Sequence, residues 1–273
     1  LSTLSEESSY PSARIILVDV HGEYSKALQD KAEVFSVSPS ANQKKLKIPY
    51  WALTFDELCA AAFGPVEDPK QRALLIDKIV QMKKSAPHGP KFFLTDDQIT
   101  VDTPTPFSIH KLWSDLHVEA YATHALKSGE LQSDSNIAYL LDQNNKPVQV
   151  GNPMKGIPPT FRPVKDVKED PDKVRYRQSS FNVLSKAIDT LGSRLRDSRM
   201  DFLLRPGEFL PDPEGKADSD LDELLASWLG HSKPVTVLDL SGIPPNIQSE
   251  LVGGLLRLVY DAMFWARNQP EGA

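Results

Sequence analysis

Two continuous apolar runs rich in β-branched residues constrain this chain more than anything else in it: Arg14-Ile15-Ile16-Leu17-Val18-Asp19-Val20 and Pro234-Val235-Thr236-Val237-Leu238-Asp239-Leu240. Neither alternates apolar with polar, so both faces of each strand have to be covered, which is the pattern of a parallel sheet between helices. The first run is therefore expected to be a central strand. Val34-Phe35-Ser36-Val37 reads as a shorter third strand. Both long strands close on an aspartate followed by a turn, Asp19 before Val20-His21-Gly22 and Asp239 before Leu240-Ser241-Gly242. Parallel strands cannot be joined by hairpins, so helices must lie between them.

The helices are legible from their starts. Thr54-Phe55-Asp56-Glu57 has the Thr and the Glu three residues later of a capping box. Asp68-Pro69 opens a second helix to about Lys84, with Leu74, Leu75, Ile79 and Met82 inward. Thr105-Pro106 is expected to open a third, with Ile109, Leu112, Trp113, Leu116 and Ala120 on one face. Ser179-Ser180 opens a fourth, carrying Phe181, Leu184, Ile188, Leu191 and Leu195. Such stripes bury themselves on one another, which predicts a helical bundle inserted in an α/β domain. Asn246 to Arg267 reads as a last helix packed on the sheet, with Glu250, Gly254, Arg257 and Asp261 as a narrow polar face. Asn144 to Asp172 holds six prolines and reads as an extended loop. The domains expected are 1–53 as the first part of an α/β core, 54–205 as the helical insertion and 206–273 as the return to the core.

Composition excludes whole classes. At 40% apolar and 25% charged residues, the 273-residue chain is neither disordered nor fibrous. One cysteine, Cys59, rules out a cystine scaffold and a Cys-rich zinc module, and a reducing, cytoplasmic setting is expected. No run approaches the ~18 apolar residues of a membrane span, so no membrane partner is expected. Leu1-Ser2-Thr3-Leu4 reads as the last turn of a helix begun elsewhere, and Gln269 to Ala273 as a loop continued elsewhere. A fragment of a longer protein is the expectation.

The sharpest chemical motif is Asp19-Val20-His21-Gly22-Glu23-Tyr24 at the C-terminal end of a parallel strand, the edge where open α/β sheets gather ligand groups. Asp19 and His21 point to one side, and Gly22 permits a turn that returns Glu23 toward them. Three ionisable groups there could order a metal-bound water or a proton; alternatively, Asp19 caps the following helix and His21 merely packs. A D-x-H-G run also opens the site of binuclear metallophosphoesterases, but their further motifs are missing: Gly151-Asn152 is followed by Pro153. The sequence has no P-loop, since the single Gly-Lys pair, Gly215-Lys216, is followed by Ala217 in a Pro/Asp loop. It has no G-x-S-x-G elbow and no H-E-x-x-H. His110, His117 and His124 fall seven apart on the third helix, roughly 10 Å between neighbours, too wide for one metal. They read as one polar edge of a bundle helix, and no metal site is assigned.

Net charge is −6, against a generally basic nucleic-acid surface. It is uneven: Lys155 to Arg205 carries twelve Lys/Arg and seven Asp/Glu, a local +5. Arg194, Arg196 and Arg199, joined by Arg175 and Arg177, form a basic helix end that reads as a solvated face or as a set of phosphate contacts.

Three segments in order, Ile16 to Tyr24, Ile48-Pro49-Tyr50-Trp51-Ala52-Leu53 with Asp56-Glu57-Leu58, and Val235 to Pro244, resemble the HerA branch of the HerA/FtsK ATPases. They bracket almost the whole chain. The resemblance implies a RecA-like nucleotide-binding core with a helical insertion, assembled as a hexameric ring that pumps double-stranded DNA and works with a nuclease or another effector. ATP and magnesium are implied for the parent protein. In that family the Walker A loop precedes, and the Walker B strand follows, the stretch that resembles this chain, so the chain by itself is expected to bind no cofactor and to be inactive. The resemblance places Asp19, His21, Gly22 and Glu23 beside the nucleotide pocket, with Asp239 and Ser241 on the same sheet edge. Asp19 and Glu23 are the candidate catalytic pair, organising magnesium-bound water or relaying nucleotide state to a neighbouring subunit. Arg194, Arg196 and Arg199 are the candidate DNA contacts. The competing reading is a non-catalytic α/β module with a helical bundle that binds a protein partner.

Overall fold

The computed structural model describes residues 14–28, 30–89, 93–165, 174–178 and 183–266. Six strands follow in chain order: β1 (Ile15–Asp19), β2 (Ala32–Ser36), β3 (Lys44–Lys45), β4 (Thr123–Leu126), β5 (Arg175–Gln178) and β6 (Val235–Asp239). The helices are α1 (Tyr24–Ala27), α2 (Phe55–Leu58), α3 (Pro69–Ser85), α4 (Ile109–Tyr121), α5 (Ser185–Arg196), α6 (Asp201–Leu204), α7 (Leu221–Leu229) and α8 (Pro245–Ala266). They fall into two compact units, one of residues 1–61, 83–107 and 198–273, the other of 62–82 and 108–197.

The first unit holds an all-parallel sheet of order β1-β6-β2-β3. The α/β class expected from the two apolar runs is present, with the second run rather than the first between two neighbours among the described residues. β6 is central and buried along its whole length, whereas β1 is half-buried and pairs, among the described residues, with β6 alone. The expectation of a central first strand is thus corrected: an apolar run records covered faces, not the number of paired edges. Register makes one sheet face from Ile15 and Leu17, Val235 and Val237, and Ala32 and Val34, with Leu28 packed against them.

Beyond the sheet, large side chains spend their polar atoms on loop carbonyls. The Tyr50 hydroxyl donates to Phe107 O at 2.7 Å and Trp51 Nε1 to Phe209 O at 2.9 Å. Lys83 is 1% exposed; its ammonium donates to the carbonyls of Val101 and Thr103, both at 2.6 Å, and lies over the Phe107 ring. Burial pushes its pKa down to about 8, against the pull of Asp102. The capping box of α2 is present as expected: Thr54 Oγ1 accepts from Glu57 N, and the Glu57 carboxylate accepts from Thr54 N.

α8 departs from its expected orientation. Ile247, Leu251, Leu255 and Leu258 are buried, but Leu256, Tyr260, Met263 and Phe264 are exposed. Of the expected polar face Glu250 is exposed, whereas Gly254 and Arg257 lie against α2 and the residue before its cap. A Cβ on Gly254 would meet Leu53 at 3.1 Å and the Glu57 carboxylate at 3.3 Å, while Arg257 donates to both Glu57 oxygens, at 2.9 and 2.7 Å. Burial alone would raise the Glu57 carboxyl, but hydrogen bonds from Arg257 and Thr54 outweigh it and hold it below the usual range. No helix of the described residues is long and apolar enough to cross a membrane.

The second unit combines α4 and α5 with an antiparallel ribbon, β4 with β5, which the expectation of helices alone did not include. α4 opens at Ser108, whose Oγ accepts from Lys111 N, rather than at Thr105. Ile109, Leu112, Trp113, Leu116 and Ala120 are buried, as are Ile188, Leu191 and Leu195 of α5. The Ser179-Ser180 start expected for α5, and Phe181 with it, lie outside the described residues. The two helices close on Gly192: Trp113 Nε1 donates to Ile188 O at 3.0 Å, and a Cβ on Gly192 would stand 2.9 Å from that nitrogen. The proline-rich stretch, as far as it is described, is irregular but tied down. Leu140 N donates to Thr160 O, Arg162 N to Ala138 O and Thr123 Oγ1 to Arg162 O.

The three histidines are not one polar helix edge. α4 ends at Tyr121, Ala122 is extended, and the β-branched Thr123 starts a strand that carries His124 opposite Arg177. His110 and His124 are buried, at 1% and 8% exposure, and His117 packs among Trp113, Tyr121 and Phe161. Burial lowers the His117 pKa from 6.5, with Asp189 opposing it. The unfolded chain then binds the proton more readily, so the stability His117 lends is complete above about pH 6.5 and is lost as pH falls through its folded pKa. The urea midpoint should therefore fall between pH 7.5 and 5, and His117→Phe should flatten that slope; an equal slope in the variant would assign the loss to other groups.

Candidate functional site

The C-terminal edge of the parallel sheet brings Asp19, Asp239 and Ser36 side by side, as register partners at the ends of β1, β6 and β2. Asp19 is 2% exposed, and its carboxylate is filled by the turn that follows it. Oδ1 accepts from Gly22 N at 2.9 Å and Glu23 N at 3.3 Å; Oδ2 accepts from Tyr24 N at 2.9 Å and Ser25 N at 3.1 Å. Ser25 Oγ donates back to Gly22 O at 3.1 Å. These are the donors a helix start leaves unpaired, so a single acid at the strand end caps α1 and closes the turn. Gly22 sits at φ +74°, the left-handed region that favours glycine, and a Cβ there would stand 2.9 Å from Ser241 Oγ of the other edge turn.

The motif thereby separates into two sets. Asp19, Gly22 and Ser25 build the turn. His21, Glu23 and Tyr24 are exposed, and their side chains make no hydrogen bond or ion pair among the described residues. Across the edge, Asp239 is 6% exposed, and its Oδ1 accepts from Ser241 N at 3.0 Å. Its other oxygen has no protein donor among the described residues, and Ser241 is exposed. The carboxylate oxygens left for something outside the fold are those of Glu23 and one of Asp239, not those of Asp19. Among the described residues no three His, Cys, Asp or Glu side chains converge on a metal ion.

Sequence reasoning missed Gln248. From the first turns of α8 its Nε2 donates to Val20 O at 3.0 Å and Leu240 O at 3.1 Å, the carbonyls just past the two strand ends. The only signal for it was a carboxamide three residues after Pro245, at a helix start.

The three arginines fall in both units. Arg194 and Arg196 lie on α5 in the second unit, while Arg199 is exposed on the turn Ser198–Met200 in the first. Arg196 Nη1 donates to Gly156 O at 2.7 Å, holding the loop Pro153–Lys155 against the end of α5. Arg194 is half-buried, which pushes its pKa down. α5 presents Lys186 and Ser193 beside Arg194 on an open surface that also includes Asp189.

Compared with known proteins, the chain matches the family model described as the central domain of the helicase HerA over residues 1–259. No curated protein matches it.

The geometry makes Asp19 and Glu23 separable by mutation. Asp19→Asn turns an acceptor oxygen into a donor facing backbone N–H groups, and unfolding in denaturant should show a loss of about 1–2 kcal/mol. Glu23→Gln should leave the midpoint unchanged. Equal stability of Asp19→Asn and wild type would remove the capping role.

Proposed function

The chain belongs to the family of HerA helicase central domains, and on that premise we propose that it is the central part of an ATP-driven motor that translocates or unwinds DNA. The observation that carries the reading is the family match over residues 1–259, together with a parallel sheet whose C-terminal edge presents unengaged acidic and imidazole groups. The reading includes a RecA-like core, the helices of the second unit as part of an insertion, a homo-hexameric ring around double-stranded DNA in the cytoplasm, and a nuclease or another effector as partner.

The described residues do not amount to a nucleotide site. Neither edge turn offers the glycine-rich run of amides leading into a helix that cradles phosphates. Gly22 and Gly242 each stand alone in their turns, and Gly22 is closed off by Ser241. ATP and magnesium are therefore proposed for the parent protein. The role left to this edge is to present Glu23, His21 and the outer oxygen of Asp239 to groups supplied from outside it. Asp19 is a positioning residue in this reading.

One observation favours the second reading, a non-catalytic interaction module: the acid at the head of the motif, Asp19, has its oxygens occupied by four amides. Magnesium-dependent ATP turnover by the full-length protein, with and without duplex DNA, decides between them. The motor reading expects turnover stimulated by DNA, and a fall of about tenfold or more in kcat for Glu23→Gln at unchanged thermal stability. Absence of turnover in wild type supports the module; wild-type turnover in Glu23→Gln removes Glu23 from the mechanism.

The arginines give an independent measurement. If Arg194, Arg196 and Arg199 contact phosphates, replacing all three by Gln should weaken duplex binding alike for every sequence and make its salt dependence shallower by up to about three phosphate contacts. Because Arg196 already holds Gly156 O, the variant Arg196→Gln alone should cost stability in the second unit. An unchanged salt slope in the triple variant would return these residues to a solvated surface.

A further inference from the structure

We propose that Gln248 is the positioning residue of the sheet edge: one carboxamide on α8 ties together the points where β1 and β6 leave the sheet, and so sets where His21, Glu23 and Asp239 stand. The backbone ladder between these strands ends with Leu240 N donating to Asp19 O at 2.8 Å. One residue further on the chains diverge into their turns, and no further backbone hydrogen bond joins the two exits among the described residues. Gln248 fills that gap. Its two amide hydrogens go to Val20 O and Leu240 O, one in each strand exit.

The two carbonyls depend on it unequally. Leu240 O also accepts from Ile243 N at 3.0 Å, a turn bond internal to the second exit. Val20 O has Gln248 as its only hydrogen-bond donor among the described residues. Val20 lies between Asp19, the acid that gathers the turn, and His21, the first of the free side chains. Releasing Val20 would let the Asp19–Ser25 turn rotate about its strand end without breaking any of the four bonds to Asp19. It would also free the Gly22 turn to shift against Ser241, which stands close enough that a Cβ on Gly22 would lie 2.9 Å from its Oγ. The capping network makes the turn rigid; the amide of Gln248 fixes its orientation relative to β6. A residue on α8 thus controls groups on the β1 turn, and α8 is in turn clamped to α2 by the Arg257–Glu57 ion pair.

The consequence for catalysis rests on the motor reading above, but the positioning itself does not, and the experiment reads the two apart. In the full-length protein, Gln248→Met removes both donors at nearly constant volume. Gln248→Glu keeps the shape while placing a carboxylate against two carbonyls. Hydrogen exchange at the amides of Gly22, Glu23, Tyr24 and Ser25 should quicken by about tenfold in Gln248→Met, the scale of two ordinary hydrogen bonds. It should quicken further in Gln248→Glu, while the amides of β6 stay protected. In the same variants kcat for ATP should fall several-fold with KM within about twofold.

Unchanged exchange at residues 22–25 overturns the proposal. So does a rise that spreads through β6 with a lowered Tm, since Gln248 would then be a general staple of the sheet. Local quickening with wild-type kcat in an active protein also overturns it, because the edge would be moved without effect. If wild type shows no turnover and the exchange change is local, the motor reading falls and the positioning role stands.

Discussion

A buried carboxylate surrounded by four backbone N–H groups fixes the site end of this sheet. A carboxyl group at 2% exposure has lost its water and needs other hydrogen-bond partners, and the turn from Gly22 to Ser25 supplies four. The same bonds satisfy donors that the start of α1 would otherwise leave unpaired. Cost and compensation are thus one structure, which is why a four-residue helix of little intrinsic stability can be held at the strand end. The free groups of the motif inherit their positions from this turn.

That arrangement separates structural from available chemistry by burial. Asp19 is spent internally, whereas Glu23, four residues on and exposed, is not. Asp239 divides the two roles between its own oxygens, one given to Ser241 N and the other left without a protein donor among the described residues. The arginines follow the same rule. Arg196 is engaged by a loop carbonyl and Arg257 by Glu57 and Asp261, so a count of positive charge along the chain overstates what is offered to a polyanion. Lys83 is the extreme case, a cation committed entirely to two loop carbonyls and an aromatic face.

Each unit also shows how a small residue admits a large one. Gly192 lets the Trp113 indole close on α5 and reach Ile188 O. Gly156, at φ +62°, would place a Cβ 2.7 Å from Gly192 O and from Leu195 Cβ, so the proline-rich loop also depends on a glycine to lie against the same helix. On α8, Gly254 lets the helix approach Leu53 and Glu57, and the ion pair one turn later follows from that approach. Here close packing turned Ile247, Leu251, Leu255 and Leu258 of α8 inward, with Gly254 and Arg257 beside them, and left Leu256, Tyr260 and Met263 outside.

What the sequence alone determined is what depends on neighbours along the chain. The apolar runs specified parallel strands, Thr54 and Glu57 a capping box, Asp68-Pro69 a helix start, and Asp19-Val20-His21-Gly22 a turn at a strand end, because each is a pattern within a few residues. The family, too, was legible from three short segments in order. Tertiary structure alone decided that β6 lies between β1 and β2 while β1 has one strand neighbour among the described residues, that His124 leaves the helix for a strand, and that Asp19 is consumed while Glu23 is free among the described residues. It also decided that Gln248 reaches across 228 residues to Val20. Pairing order, hydrogen-bond saturation and the inward face of a helix depend on partners distant in sequence, and periodicity and composition carry no record of which partner that is.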